Sequence, residues 1–332
     1  MEAVRQHPGR FFIVSFPEAI PSDRTLRFIL DNHIGGLILF AEHCRDPKSL
    51  KSWLGDFVRS LGYPLIVAVD QEGGRVCRFD AGFPSLDSPR NYGKDGRVDK
   101  YRDDLSRVCE RLQEIGVNLN LVPTVDLFDR GDGHVLDSRA FSDDPGVVAE
   151  FARATIAVHH RFGLLTCAKH FPGLGRSAGD PHQILSTADL TEADFREKEL
   201  VPFRDAIEAG VDSVMVTHLA APKVDDVPAI ISRKMIAGWL KESLSFDGPV
   251  ITDDLLMTGA QQAAPLPLTA VKCFEAGADL LLFGRDLDAA SQAFDRFAAD
   301  WQAGRLDHVR MEDGGCRVGR FIEKIAGGKT CL

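Results

Sequence analysis

Eight short apolar runs, spread along most of the chain, constrain its fold more than any other feature. Each run is rich in β-branched residues and is apolar at consecutive positions, without alternating polar residues. Continuous runs of this kind are typical of parallel strands that are buried on both faces of a sheet. The predicted strands are residues 11–16, 36–40, 65–70, 118–122, 165–170, 213–218, 250–253 and 279–283.

Amphipathic helices are predicted between several of these strands. Asp46 and Pro47 are residue types preferred at the N-cap and the first position of a helix, and apolar residues then recur at helical spacing. A second apolar face starts at Leu105 and stops before Gly116, and a third covers residues 287–301. These patterns predict helices on the outside of a parallel sheet.

Strands that alternate with helices over most of 332 residues predict a (β/α)₈ TIM-type barrel of the α/β class. We expect one catalytic domain over residues 1–332, with a C-terminal helical extension around residues 287–326. An open, doubly wound sheet is the alternative. It is disfavoured because SFPEAIPS stands where a Gly-rich phosphate loop would follow the first strand.

Composition excludes several classes of partner. The net charge is −10 and no long basic run occurs, so a nucleic-acid partner is not expected. No segment has the ~20 apolar residues of a membrane span, and no apolar stretch of signal-peptide length stands near the N-terminus. The seven cysteines form no CxxC pair. We therefore expect a cytoplasmic protein without membrane contact and without a disulfide framework.

Charged residues stand where several predicted strands end. The third ends in Asp70, the fifth in Lys169 and His170, the sixth in His218, and the seventh in Asp253 and its neighbour Asp254. Because the carboxyl ends of barrel strands meet at one mouth, these side chains form a candidate active site.

Each of these residues also has a simpler interpretation. Asp254 is expected to cap a following helix, and Lys169 is a candidate for Schiff-base chemistry. His170, His182 and His218 are metal-ligand residue types, but no HExxH or similarly tight spacing supports a metal site, and no cofactor is expected. His159 is expected to be structural, because it falls in a helical stretch.

The loop after the fifth strand contains an Asp-x-His sequence, Asp180 and His182. A carboxylate two residues from an imidazole can accept a hydrogen bond from one ring nitrogen and leave the other free for proton transfer. The same contact raises the pKa of the imidazole and favours its protonated form. The pair is therefore a candidate general acid/base dyad, whereas a surface loop with two polar residues is the simpler alternative.

In order and spacing, several sequence blocks together resemble glycoside hydrolase family 3, and within it the bacterial cytoplasmic β-N-acetylglucosaminidases of cell-wall recycling. The resemblance covers residues 11–283. It is carried by the blocks GGLILF, AVDQEGGRVCRF, SRAFSDDP, AKHFPGLG with GDPH, FDG and ITDDLLM.

The resemblance implies a role for each matching residue. Asp253 matches the catalytic nucleophile, His182 the general acid/base and Asp180 its partner. Five further residues match positions that bind the hydroxyl groups of the sugar: Asp70, Arg78, Arg139, Lys169 and His170. Met257 matches a substrate-binding residue beside the nucleophile. This sequence departs from the family loop KHFPGHGDT, because Leu174 replaces the second His and Arg176 and Ser177 replace Asp-Thr.

These residues predict a retaining glycosidase, in which a carboxylate attacks the anomeric carbon and a proton donor serves the leaving group. The resemblance implies an enzyme that acts on N-acetylglucosaminyl saccharides, with peptidoglycan-derived anhydromuropeptides as the natural substrates. We expect a monomer. Three alternatives stay open: a phosphate-dependent N-acetylglucosaminide phosphorylase, a catalytically impaired sugar-binding barrel, and an aldolase-like barrel that uses Lys169.

Overall fold

A computed structural model describes residues 7–80, 82–128, 134–178 and 185–327. Its centre is a sheet of eight parallel strands, and each strand overlaps one predicted apolar run. The (β/α)₈ prediction is therefore confirmed. The strands are β1 Phe12–Val14, β2 Gly36–Leu39, β3 Ile66–Val69, β4 Leu119–Asn120, β5 Leu165–Phe171, β6 Ser213–Val216, β7 Val250–Thr252 and β8 Leu281–Leu282.

The sheet closes into a barrel. Its strands follow one another around the sheet in chain order, and β8 pairs with β1. Between β7 and β8 the contact is a parallel bridge from Ile251 to Leu280, and the Thr252 amide donates to the Leu280 carbonyl at 2.9 Å. All carboxyl ends of the strands therefore open at the same mouth.

Helices cover the outside of the barrel. Two of their ends lie where the sequence predicts. The Asp46 carboxylate accepts hydrogen bonds from the amides of Lys48 and Ser49 at the start of the helix Pro47–Leu61, and Gly116, with φ of 100°, ends the helix Val98–Ile115. The helices are Asp23–Asp31, Ala41–Cys44, Pro47–Leu61, Pro89–Asp95, Val98–Ile115, Pro145–Arg161, Glu192–Asp194, Val201–Glu208, Thr258–Ala263, Leu266–Ala276, Leu287–Gln302 and His308–Gly327.

Shorter or wider helical segments complete the connections. Phe195–Glu199 and Lys234–Ser243 are π-helical, and Pro8–Phe11 and Ala229–Ile231 are 3₁₀-helical. Outside the barrel, Ser186–Thr187 and Leu219–Ala220 form a separate parallel pair. This pair matters for the site, because it joins the chain that follows β5 to the chain that follows β6.

The core lies inside the barrel and between the barrel and its helices, where the residues of β1 to β5 are buried along their whole length. His159 is part of this packing, as predicted: one ring nitrogen contacts Asn120 and the other the Thr155 carbonyl. Burial lowers the pKa of His159 to about 4, so the ring is neutral. Among the described helices, none is both long and apolar enough to cross a membrane.

Candidate active site

A cavity of about 420 Å³ opens at the carboxyl ends of the barrel strands. The site residues predicted from β3, β5 and β7 all line it, together with Arg78, Arg139 and Met257 from the loops. Glu72, Arg75 and Arg285 also line the cavity. The charged residues around the cavity are Asp70, Glu72, Arg75, Arg78, Arg139, Lys169, Asp253, Asp254 and Arg285.

The floor of the cavity holds a network of ion pairs centred on Lys169, whose side chain is 1% exposed. Its ammonium group lies 2.7 Å from Asp70 Oδ1 and 2.6 Å from Glu72 Oε1. Arg78 Nη2 donates to Asp70 Oδ2 at 3.0 Å, and Arg139 donates to both Glu72 oxygens at 2.8 and 2.7 Å. Two carboxylates and three cations are thereby fixed in one rigid arrangement.

The charges in this network hold one another in the ionised state. Burial raises the pKa of Glu72, but Arg139 and Lys169 outweigh burial and lower the pKa to about 2. Burial likewise opposes ionisation of Asp70, and Lys169 and Arg78 hold its pKa well below the ordinary value. Burial lowers the pKa of Lys169, yet Asp70 and Glu72 raise it above the ordinary value.

This protonation state decides between two roles for Lys169. A Schiff base requires a neutral amine, so an amine whose pKa is lowered by its surroundings is the usual nucleophile. The two carboxylates beside Lys169 have the opposite effect and keep it protonated. The aldolase-like alternative is therefore disfavoured, and Lys169 is suited to donate hydrogen bonds.

His170 is oriented by a carboxylate from the loop after β4. Asp126 Oδ2 lies 2.6 Å from His170 Nδ1, and it also accepts the His170 amide at 3.1 Å. The other ring nitrogen, Nε2, lies 3.1 Å from Arg139 Nη2, which can only donate. The geometry thus assigns the proton to Nδ1 and leaves Nε2 as the acceptor.

Asp253 immediately follows β7, where the barrel interior meets the cavity. Its Oδ2 accepts a hydrogen bond from the Thr217 hydroxyl at 3.1 Å, and its Oδ1 accepts the Asp254 amide at 2.9 Å. Burial raises the pKa of Asp253, but His218 and the hydrogen bonds from the Asp254 amide and the Thr217 hydroxyl more than offset this effect and lower the pKa below the ordinary value. Asp253 is therefore an ionised carboxylate that faces the cavity.

Asp254 supports the backbone in a way that the sequence does not predict. Its Oδ1 accepts the amides of Leu256 at 3.0 Å and of Gly284, just after β8, at 2.9 Å. The following helix has Met257 at its N-cap, so the expected helix cap is wrong. Asp254 instead ties the turn after β7 to the next strand, and this contact fixes the backbone beside Asp253.

Several polar groups at the mouth were not identified as site residues from the sequence. Glu72, Asp126 and Thr217 each contact a predicted site residue through the hydrogen bonds described above. Thr217 directly follows β6, so its position at a strand end was an available signal. Glu72 and Asp126 lie in loops, where the strand-end criterion does not apply, and only the tertiary structure brings them to the floor.

The predicted acid/base dyad, Asp180 and His182, lies outside the described residues. The chain before it is described as far as Ala178, which pairs with Thr187: the Ala178 amide donates to the Thr187 carbonyl at 2.8 Å, and the Thr187 amide donates back at 3.0 Å. Ser186 and Thr187 in turn pair with Leu219 and Ala220, which follow His218. The two ends of this loop are thus held near the chain that leaves β6.

The described residues contain no cluster of three or more histidine, cysteine or acidic side chains that is arranged to hold a metal ion. Of the histidines considered as ligands, His170 contacts Asp126 and Arg139. His218 Nε2 lies 3.0 Å from the Asp254 carbonyl oxygen, which can only accept, so that nitrogen carries a proton. These contacts give both rings a role in positioning the site.

A (β/α)₈ barrel whose mouth presents an ionised carboxylate beside closely spaced hydrogen-bond donors and acceptors has the features of a barrel glycosidase. Comparison with known proteins gives the particular family. Residues 10–320 match the model of the glycosyl hydrolase family 3 N-terminal domain. The chain therefore belongs to glycoside hydrolase family 3, within its β-hexosaminidases.

Individual relatives agree with this assignment. A β-hexosaminidase of Hydrogenovibrio crunogenus is 33% identical over 290 residues, which are 85% of this chain and 80% of that protein. A β-hexosaminidase of Thiobacillus denitrificans is 34% identical over 296 residues, 87% of this chain and 82% of the relative.

Solved structures show the same fold. A family 3 β-N-acetylglucosaminidase from a Paenibacillus species superposes with a TM-score of 0.93 at 28% identity over 97% of this chain, which spans 62% of that structure. A β-N-acetylhexosaminidase from Beutenbergia cavernae has a TM-score of 0.87 at 28% identity, and the match covers 96% of this chain and 98% of the other.

Proposed function

We propose that this chain is a retaining β-N-acetylhexosaminidase that releases terminal β-linked N-acetylglucosamine, with Asp253 as its nucleophile. The observation that carries the proposal is the state of Asp253: a carboxylate held ionised at a strand end, oriented by Thr217 and the Asp254 amide, and facing a cavity with a charged floor. A nucleophilic carboxylate must be ionised and fixed in direction, and both conditions are met.

The floor of the cavity is suited to a sugar ring. Lys169, Arg78 and Arg139 present N–H donors, and Asp70 presents carboxylate acceptors, within one network. Sugar hydroxyl groups both donate and accept, so a network of both kinds can bind several hydroxyls at once. We assign Asp70, Arg78, Arg139, Lys169 and His170 to this binding, with Met257 contacting the sugar beside the nucleophile.

The reaction proceeds in two displacements. In the first, an Asp253 carboxylate oxygen bonds to the anomeric carbon, the bond to the leaving oxygen breaks, and His182 gives that oxygen its proton. In the second, water attacks the anomeric carbon, His182 takes the proton of the water, and the bond to Asp253 breaks. Asp180 stabilises the imidazolium form that His182 has before the first displacement and again after the second.

The rim of the cavity supports an anionic leaving group. Arg75 and Arg285 line it and are exposed, and Arg75 donates a hydrogen bond to the Val135 carbonyl oxygen. Arg285 pairs with Glu42 and its guanidinium lies over the ring of Phe40. A carboxylate-bearing sugar fits this rim, and we therefore propose peptidoglycan-derived anhydromuropeptides as natural substrates. A single catalytic domain, a monomer and a cytoplasmic location remain predictions.

Trapping the nucleophile tests the proposal. A fluorinated glycosyl fluoride that keeps the 2-acetamido group should label the wild-type protein, and peptide mass spectrometry should place the label on Asp253. Asp253→Ala should lose nearly all turnover of an aryl N-acetyl-β-glucosaminide, whereas Asp254→Asn should lose far less, because an amide oxygen can accept the same two N–H bonds. A label on another residue, or near-normal turnover by Asp253→Ala, contradicts the assignment.

The same preparation separates hydrolysis from phosphorolysis. Both reactions use the glycosyl ester of Asp253, and they differ in whether water or phosphate attacks it. Turnover with and without inorganic phosphate, followed by detection of free sugar or sugar 1-phosphate, identifies the acceptor. We expect free sugar, and turnover that phosphate does not accelerate. Sugar 1-phosphate as the main product would establish the phosphorylase alternative.

A further inference from the structure

The loop after β5 is held by the side chain of Arg176, a residue that the family loop sequence KHFPGHGDT does not contain at this position. Arg176 stands where the family sequence has an acidic residue, and its Nε donates to Glu199 Oε1 at 2.6 Å. Arg176 Nη2 also donates to the Asp194 carbonyl at 3.2 Å. An acidic side chain at position 176 would face the Glu199 carboxylate and be repelled, so the arginine reverses the sign of this contact.

Glu199 is a rigid partner for this arginine. It ends the π-helical segment Phe195–Glu199, and its side chain is 1% exposed. A Cβ built on Gly173 would lie 3.1 Å from Glu199 Cβ, so Glu199 packs directly against the backbone of the β5 loop. Its second oxygen, Oε2, has no hydrogen-bond partner among the described residues, which leaves Arg176 as its principal charge compensation.

Other contacts fix the same stretch from both sides. Asp126 Oδ1 accepts the Leu174 amide at 2.7 Å, so the carboxylate that orients His170 also holds the loop. The Ser177 hydroxyl donates to the Leu174 carbonyl at 2.7 Å, and Ala178 pairs with Thr187. Arg176 lies between these points, four residues before Asp180 and six before His182.

We propose that Arg176 and Glu199 are positioning residues for proton transfer: their ion pair fixes the base of the loop that carries Asp180 and His182. The inference rests on the proposed function, because it assigns the pair to the acid/base residue and not to the nucleophile. General acid catalysis requires the donor within hydrogen-bond reach of the leaving oxygen, and a misplacement of about 1 Å costs about 100-fold in rate. The sugar-binding floor contains neither residue.

The leaving group provides the test. A 2,4-dinitrophenyl group departs without a proton, whereas a sugar leaving group needs one. We expect Arg176→Gln to lower kcat/KM on an N-acetylglucosaminyl disaccharide by about 10- to 100-fold and to leave kcat/KM on the dinitrophenyl glycoside near the wild-type value. The inhibition constant of free N-acetylglucosamine should not change, because it reports the floor alone.

Three further variants distinguish a defect in positioning from a loss of folding. Arg176→Lys keeps a cation beside Glu199 but cannot make both contacts, so its defect should be intermediate. The double variant R176Q/E199Q removes both charges together and should show the same dependence on the leaving group as R176Q. Arg305→Gln is the matched control, because it removes a partner from the buried Asp300 in the C-terminal helices and should behave as wild type on both substrates.

Two results overturn the proposal: equal losses on both leaving groups, or wild-type hydrolysis of the disaccharide by both R176Q and R176K. Asp253→Ala, measured alongside, separates this failure from failure of the proposed function. If Asp253→Ala is inactive on both substrates while R176Q shows no dependence on the leaving group, the nucleophile assignment stands and the positioning role is wrong.

Discussion

Replacement of Glu72 by glutamine tests the electrostatic account of the cavity floor. The glutamate was not identified as a site residue from the sequence, and it is 3% exposed in the structure. Its two oxygens accept both Arg139 hydrogen bonds and contact the Lys169 ammonium. Glutamine has nearly the same shape but no charge, so Glu72→Gln leaves two buried cations with less compensation and removes one acceptor.

The expected size of the effect follows from the pKa of Glu72. Its value of about 2 in the folded protein, against an ordinary 4.5, corresponds to about 3 kcal/mol of stabilisation by the ionised form. Because the folded pKa is the lower one, this stabilisation is complete above the unfolded pKa and is lost as the pH falls toward the folded pKa. Glu72→Gln should therefore cost about 3 kcal/mol at neutral pH and about 2 kcal/mol near pH 3.5.

Guanidinium chloride unfolding, followed by circular dichroism at both pH values, measures this difference. Glu192→Gln is the control, because Glu192 is 38% exposed, pairs with Arg196 on the surface, and should cost at most about 1 kcal/mol. Glycosidase activity of Glu72→Gln should also fall, because Arg139 and Lys169 lose the acceptor that orients them. A cost equal to that of the control, or one that does not shrink in acid, refutes this account of the floor.

Two further predictions concern Asp253 and the loop after β5. Thr217→Val removes a hydrogen bond that lowers the pKa of Asp253, so the acid limb of the kcat/KM profile should move to higher pH; an unchanged limb contradicts the contact. Gly175→Ala places a Cβ 1.7 Å from the Leu127 carbonyl oxygen, so it should lower both glycosidase activity and thermal stability. Gly238→Ala is the control, because its added Cβ meets no atom within 4 Å and should preserve both properties. Equal melting temperatures for the two alanine variants would contradict the close approach at Gly175.

Much of the barrel could be predicted because each strand carries its own signal. A parallel strand that is buried on both faces is mostly apolar at consecutive positions, and such a continuous apolar run can be recognised in the sequence. Helix ends were also predictable where the determinant is local, as at Asp46 and Gly116. Asp254 shows the limit of such reasoning, because its carboxylate accepts from a residue thirty positions away and does not cap the helix that follows.

Asp253, Lys169 and Asp70 could be placed in the site from the sequence alone, because a charge at the end of a buried strand has only the mouth of the barrel to face. Which charges pair, and with which sign the pKa values shift, was decided by tertiary structure. Glu72 reaches Lys169 across ninety-seven positions of sequence, and Glu199 reaches Arg176 from a separate π-helical segment. These partners come together only when the barrel closes, because each ion pair depends on where the strands and loops lie around the barrel and not on any local sequence pattern.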